Sequence, residues 1–137
     1  MHSIGELARA TGVKVPTIRY YEQMGLIEAA GRSEGNQRRY DRAGLERLAF
    51  IRHARELGLS IEAIRELIEL SLHPQEPCEG ANRIARQQLD AVRSRIARLR
   101  RLEGELERIA TGCESGNIAD CYVIRALCDH DMCAHEH

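Results

Sequence analysis

Thr11-Gly12-Val13-Lys14-Val15-Pro16-Thr17-Ile18-Arg19-Tyr20-Tyr21-Glu22 reads as a tight turn feeding a short helix. Gly12 stops the helix before it. Pro16 is well placed at the first position of the second helix, where a missing N–H has no intrahelical partner to lose. Ile18 and Tyr21 carry a buried stripe onward until Gly25 supplies a C-terminal cap. Upstream, Ser3 with Glu6 three residues later is a capping box, and Ile4, Leu7, Ala8 and Thr11 fall on one face of a first helix. Two short helices joined by a three- to four-residue turn containing glycine make a helix-turn-helix candidate; the bland alternative is a helix pair in an ordinary bundle.

Outward from this pair, Ala29 to Tyr40 is polar. Gly31, Ser33, Gly35 and Asn36 are turn formers between Arg32 and the cluster Arg38, Arg39, Tyr40, a pattern that predicts a small β-hairpin. Asp41 is placed to cap a helix carrying Leu45, Leu48, Ala49 and Ile51 and ending at Gly58; Ser60 then caps another with Ile61, Ile64, Leu67 and Ile68. Pro74 and Pro77 close that compact stretch. From Ala81 to about Thr111 a single helical pattern runs through Ala85, Leu89, Val92, Ile96, Leu99, Leu102, Leu106 and Ile109, stepping by three or four between charged flanks. One narrow apolar stripe of this kind needs a partner. Either a second copy covers it as a coiled coil, the favoured reading, or the helix folds back on its own N-terminal domain. Gly104 weakens this helix by about 1 kcal/mol relative to Ala.

The chain has 137 residues, a length that suits one modest domain or a small domain with an appendage. No run of about 18 apolar residues exists, and Glu6 and Arg9 interrupt any signal-peptide core, so neither a membrane span nor secretion is expected. With aromatics at only 4% and no Trp, a large catalytic cleft is disfavoured. The net charge of −1 is uninformative, but its distribution is not. Between Arg9 and Arg55 ten basic residues face five acidic ones, whereas after Thr111 the only basic residue is Arg125. The last segment holds four of the five Cys with Glu114, Asp120, Asp129, Asp131, Glu136, His130, His135 and His137. An odd set of thiols in a chain of this kind points to metal or redox chemistry in a reducing cytoplasm rather than to structural disulfides.

DNA binding requires guanidinium or ammonium groups on phosphates and side chains on base edges. Lys14, Thr17, Arg19 and Tyr20 lie on the less apolar side of the second helix, and Arg32 and Arg38 lie on the hairpin. For any one Arg a solvated surface role is the alternative; the collective pattern favours contact. Cys78 precedes the long helix, Cys113 follows it, and Cys121 lies eight positions further on. A helix of roughly 28 residues is about 42 Å long, so its two ends cannot share an ion within one chain. Antiparallel pairing in a twofold dimer would bring Cys78 of one chain beside Cys113 and Cys121 of the other. Three soft thiolates select thiophilic ions such as cadmium, lead, zinc or mercury over magnesium or calcium. Cys128, His130, Cys133, His135 and His137 form a dense donor set without regular zinc-finger spacing, either a second metal site or a tail with no effect on output.

The residues Ile4-Gly5-Glu6-Leu7-Ala8, Thr17-Ile18-Arg19-Tyr20-Tyr21-Glu22, Gly25-Leu26-Ile27, Arg38-Arg39-Tyr40, Phe50-Ile51-Arg52 and Leu57-Gly58-Leu59-Ser60 resemble the MerR family of bacterial transcription regulators, and the likeness covers nearly the whole chain. The resemblance implies a mainly α fold: a winged helix-turn-helix DNA-binding domain over 1–74, a linker over 75–80, an antiparallel dimerisation helix over 81–111, and a metal-binding loop, short helix and Cys/His-rich tail over 112–137. It implies that Arg19, Tyr20, Tyr21, Arg32 and Arg38 face DNA, with Gln37 standing where many relatives have Tyr. A Cys at the head of the dimerisation helix is similar to the divalent-metal branch, where copper sensors usually carry Ser, although the seven-residue gap between Cys113 and Cys121 is similar to the copper type. The third thiolate sets coordination number and favours the divalent branch. The family further implies a homodimer on double-stranded promoter DNA that distorts an overlong spacer for RNA polymerase when metal binds, and a regulated gene for a metal exporter or sequestering protein. A copper(I) sensor of the same family is the alternative. An iron-sulfur regulator would want more tightly spaced Cys, and for a thiol or metal enzyme no nucleophile, base and orienting residue can be placed together.

Overall fold

The computed structural model describes residues 1–112 and 121–128. Among the described residues the elements in chain order are β1 (His2–Ser3), α1 (Ile4–Thr11), α2 (Val15–Gln23), β2 (Gly31–Arg32), β3 (Arg38–Tyr40), α3 (Arg42–Glu56), α4 (Ile61–Ser71), α5 (Glu79–Thr111) and α6 (Tyr122–Cys128). The mainly α architecture with a small wing agrees with the sequence reading. None of the described helices is long and apolar enough to cross a membrane. The chain divides into two compact units, Met1–Ile84 and Ala85–His137, with the division inside α5.

Helices α1, α3 and α4 each start where a side chain satisfies an orphan N–H group. The Ser3 hydroxyl accepts from the Glu6 amide at 3.2 Å while the Glu6 carboxylate accepts from the Ser3 amide at 3.1 Å, a complete capping box. Asp41 accepts from the Gly44 amide at 2.9 Å and Ser60 from the Ala63 amide at 3.1 Å. Gly12, Gly25 and Gly58 all hold positive φ just past a helix end. Several cations are spent on carbonyls: Arg52 donates to the Thr11 carbonyl at the end of α1, Arg65 to Met24 at the end of α2, and Arg55 to Leu59 at 2.8 Å. A cation at a helix C-terminus both donates to an unpaired carbonyl and meets the negative end of the dipole.

The described residues form a three-stranded antiparallel sheet in the order β1-β3-β2. The sequence predicts only the hairpin of β2 and β3. The third strand is His2 and Ser3, opposite Tyr40 and Arg39 respectively, and two residues carry no alternation to read. At the hairpin tip Asn36 adopts φ 63°, a left-handed conformation that Asn tolerates better than most side chains. Leu7, Ile18, Tyr40, Leu48, Ile51 and Ile64 are fully enclosed, and α1 packs on both α2 and α3. Ile84, in the second turn of α5, belongs to the same core, so this unit runs past Pro77.

Helix α5 begins at Glu79 in the first unit, two residues earlier than the periodicity suggests, and continues unbroken to Thr111 in the second. Along its stripe Leu89, Ile96, Leu99 and Leu106 are exposed, the last two by 57% and 64%. Ile109, read from sequence as part of the same seam, is instead buried; its cover comes from its own chain. Glu105 is buried and ion-paired with Arg108 one turn on.

Candidate nucleic-acid interface and thiol donors

Helix α2 turns one face inward and one outward. Ile18 and Tyr21 point into the core, while Pro16, Arg19, Tyr20 and Gln23 are exposed on the opposite side. This is the i, i+3, i+4, i+7 spacing of a single helical face. Tyr20 is 46% exposed and Tyr21 only 7%, their ring centroids 5.9 Å apart. The resemblance set Tyr21 among the DNA-facing residues; burial removes it from the outward face and leaves it beneath Tyr20. Gln23 is the residue that sequence reasoning passed over, although stepping by four from Arg19 points to it.

Lys14 is the N-cap of α2 rather than a residue of the helix, and it contributes no side-chain cap. Thr17 is half-buried. Neither Lys14 nor Arg19 makes a side-chain ion pair or hydrogen bond with the described residues, so both charges stand uncommitted at one surface. On the wing, the Arg32 guanidinium donates to the Asn36 carbonyl at 3.2 Å, bracing the tip, and Gln37 is exposed. Arg38 is tied inward: its Nη1 lies 2.8 Å from Glu22 Oε2, and the other Glu22 oxygen accepts from the Tyr40 hydroxyl. Arg39 pairs with Glu6 at 3.8 Å. The Glu6 carboxyl titrates below its ordinary 4.5, held there first by the Ser3 backbone amide and then by the Ser3 hydroxyl.

The thiols lie at helix ends. Cys78 is exposed immediately before α5, its backbone carbonyl accepting from Asn82 at 2.9 Å and its Sγ facing the Asn82 side-chain amide at 3.7 Å. It lines an apolar cavity of about 250 Å³ with Phe50, Leu67, Leu70, His73 and Pro77. Cys121 stands before α6, its carbonyl accepting from the Arg125 amide at 3.1 Å, and exposed Cys128 ends that helix. Cys78, Cys121 and Cys128 form no disulfide. Cys113, His130, Cys133, His135 and His137 lie outside the described residues. Among the described residues no three Cys, His, Asp or Glu gather into a metal-ready group. The donors that are described are soft, uncrosslinked sulfurs of the kind thiophilic ions take, with no cluster of carboxylates to suit a hard cation.

Comparison with known proteins bears on the same segments. Residues 2–71 match the model of the MerR HTH family regulatory protein, and residues 45–109 match a MerR DNA-binding model. The chain is 39% identical over 130 residues to the HTH-type transcriptional regulator ZntR of Escherichia coli K12, covering 93% of this chain and 92% of that protein. It is 37% identical over 127 residues to a mercuric resistance operon regulatory protein of Pseudomonas fluorescens, covering 91% and 86%. Among solved structures, the transcription regulator PbrR691 from Ralstonia metallidurans CH34, in complex with lead(II), superposes with a TM-score of 0.79 at 36% identity, over 93% of this chain and 99% of that one.

Proposed function

The chain belongs to the MerR family of helix-turn-helix regulators, and from that premise we propose that it switches transcription from a promoter in response to a thiophilic divalent ion. The observation that carries the DNA-binding half is the outward face of α2, where Arg19 and Tyr20 are exposed and the cation has no partner among the described residues. On this reading Arg19, Tyr20 and Gln23 read base edges, for which a guanidinium opposite guanine is the commonest pairing. Lys14, Arg32 and Arg38 take phosphates on either side and set the register. The cations Arg52 and Arg65, which cap α1 and α2, are committed to the fold and take no part.

Cys78, Cys113 and Cys121 are the proposed ligands for cadmium, lead, zinc or mercury. Bound there, the ion supplies a soft Lewis acid that draws thiolates from separate segments together. Helix α5 has 33 residues, about 50 Å at 1.5 Å per residue. That length supports drawing Cys78 from one chain and Cys113 with Cys121 from a second, so that dimerisation through 81–111 and ligation require one another. The exposed stripe of Leu89, Ile96, Leu99 and Leu106 supports the same dimer. Two DNA-binding units joined in this way would grip a promoter at two half-sites, and deforming DNA between them costs on the order of 1–6 kcal/mol. Thiol ligation that stiffens the 113–121 segment is the proposed source of that bias toward engagement by RNA polymerase. The regulated gene, on this reading, encodes a metal exporter or a sequestering protein.

The test is in vitro transcription across a panel of cadmium, lead, zinc, mercury and copper(I), with Cys78→Ser, Cys113→Ser, Cys121→Ser and a deletion of 129–137. Each Cys variant is expected to lose induction while operator affinity largely survives. Induction that persists in all three, or that copper(I) alone elicits, refutes the divalent thiolate site.

A further inference from the structure

Glu22 is the only acidic residue of α2. A carboxylate on a helix that faces a polyanion weakens binding by simple Coulomb repulsion, so its position there calls for a physical account. Its side chain is only 12% exposed, and both oxygens are used. One accepts from the hydroxyl of Tyr40, which is wholly enclosed in the core; the other holds Arg38 Nη1 at 2.8 Å. Tyr40 and Arg38 are the two ends of β3, so a single carboxylate bolts the wing to the recognition helix across 18 residues of chain.

We propose that Glu22 is a positioning residue for operator recognition, fixing Arg38 and the outward face of α2 in one register. A guanidinium has five donors in a rigid fork. Arg38 gives Nη1 to Glu22 and remains 45% exposed, so it keeps donors for a phosphate in an orientation the carboxylate dictates. Because the pair is close to neutral, it adds little to the general attraction for DNA. Its worth lies in geometry, and geometry distinguishes an operator from any other duplex. The inference rests on the DNA-binding half of the proposed function and not on metal response.

The two effects of removing the carboxylate have opposite signs, and this makes the experiment decisive. The full chain is used with two probes of equal length: a duplex selected from a random pool by the wild-type protein, and a scrambled duplex. Charge alone predicts that Glu22→Gln binds both more tightly. The positioning role predicts that scrambled-duplex affinity holds or rises while selected-duplex affinity falls about tenfold, a loss of about 1.4 kcal/mol. The Gln carbonyl still accepts from Tyr40, but its amide has no charge for Arg38. In an Arg38→Ala background the same substitution is then expected to cost nothing further in specificity, the non-additivity that marks residues acting through one another. Equal gains on both duplexes, or a loss undiminished in the Arg38→Ala background, overturn the proposal. Tyr40→Phe, which keeps the buried ring, serves if Glu22→Gln does not fold. Its ratio of selected to scrambled affinity is expected to fall about threefold with no change in salt dependence, and an unchanged ratio again overturns the proposal. A wild-type chain that selects no duplex would instead sink the DNA-binding reading itself.

Discussion

Gly12 holds φ +74° where α1 gives way to α2, and a Cβ built there would stand 2.9 Å from Arg52 Nη1. The guanidinium is the far end of a flexible side chain and can yield; the backbone conformation cannot. Left-handed geometry costs a residue with a Cβ roughly 1–2 kcal/mol, so Gly12→Ala is expected to lower unfolding free energy by about that amount in urea titration, with little change in slope. Glu6 shows a different dependence on its surroundings. Its folded pKa is depressed by the Ser3 amide and hydroxyl. The carboxylate therefore contributes stability that is fully present above its unfolded value and is lost as pH falls through the lower folded value. The difference in melting temperature between wild type and Glu6→Gln is expected to be constant near neutrality and to shrink below about pH 4.5. A gap that widens on acidification would contradict the capping-box origin of the shift.

At the scale of elements, α5 combines strong helix formers with one weak point. Gly104 lies on the side of the helix away from the apolar stripe, and nothing stands within 4 Å of a Cβ placed there. Gly104→Ala is expected to stabilise the helix by about 1 kcal/mol, read as a rise in melting temperature. The same helix shows how local and non-local information divide. Its charged flanks and three-four stepping are visible in the chain. Its first turns, from Glu79 to Ile84, are held by something the stepping cannot show: Ile84 is buried in the first unit and Arg83 pairs with Glu66 of α4. Helix α4 is in turn tied to α2 through Arg65 and the Met24 carbonyl. Glu66 and Arg65 are adjacent, so two neighbouring side chains join α5 and α2 to α4.

At the scale of the whole molecule, exposed leucines along α5 are a surface in search of cover. If a second copy supplies it, melting temperature rises with protein concentration, because anything that binds only the native state stabilises it by mass action. Leu99→Glu, placed at a 57% exposed position of the stripe, is expected to convert the dimer to monomer in sedimentation velocity. It is also expected to remove the concentration dependence while leaving the far-ultraviolet helix signal of the first unit intact. A monomeric wild type would exclude the shared thiolate site along with the dimer.

The chain by itself determined the starts of α1, α3 and α4, the hairpin and the outward stripe of α5, because caps, turns and periodicity are set by groups within about four residues of one another. Ser3, Asp41 and Ser60 cap their helices, as their spacing indicates. Stepping from Ile18 also put Tyr21 on the buried stripe, where it lies, against its place among the DNA-facing residues of the resemblance. Only tertiary structure decided which cations are available. Arg38, Arg52, Arg55 and Arg65 look alike in sequence to Lys14 and Arg19, yet a backbone carbonyl has claimed Arg52, Arg55 and Arg65, and Arg38 shares its guanidinium with Glu22. Most of those partners are brought close by packing across 16 to 41 residues of chain, and no local pattern records a contact made at that separation.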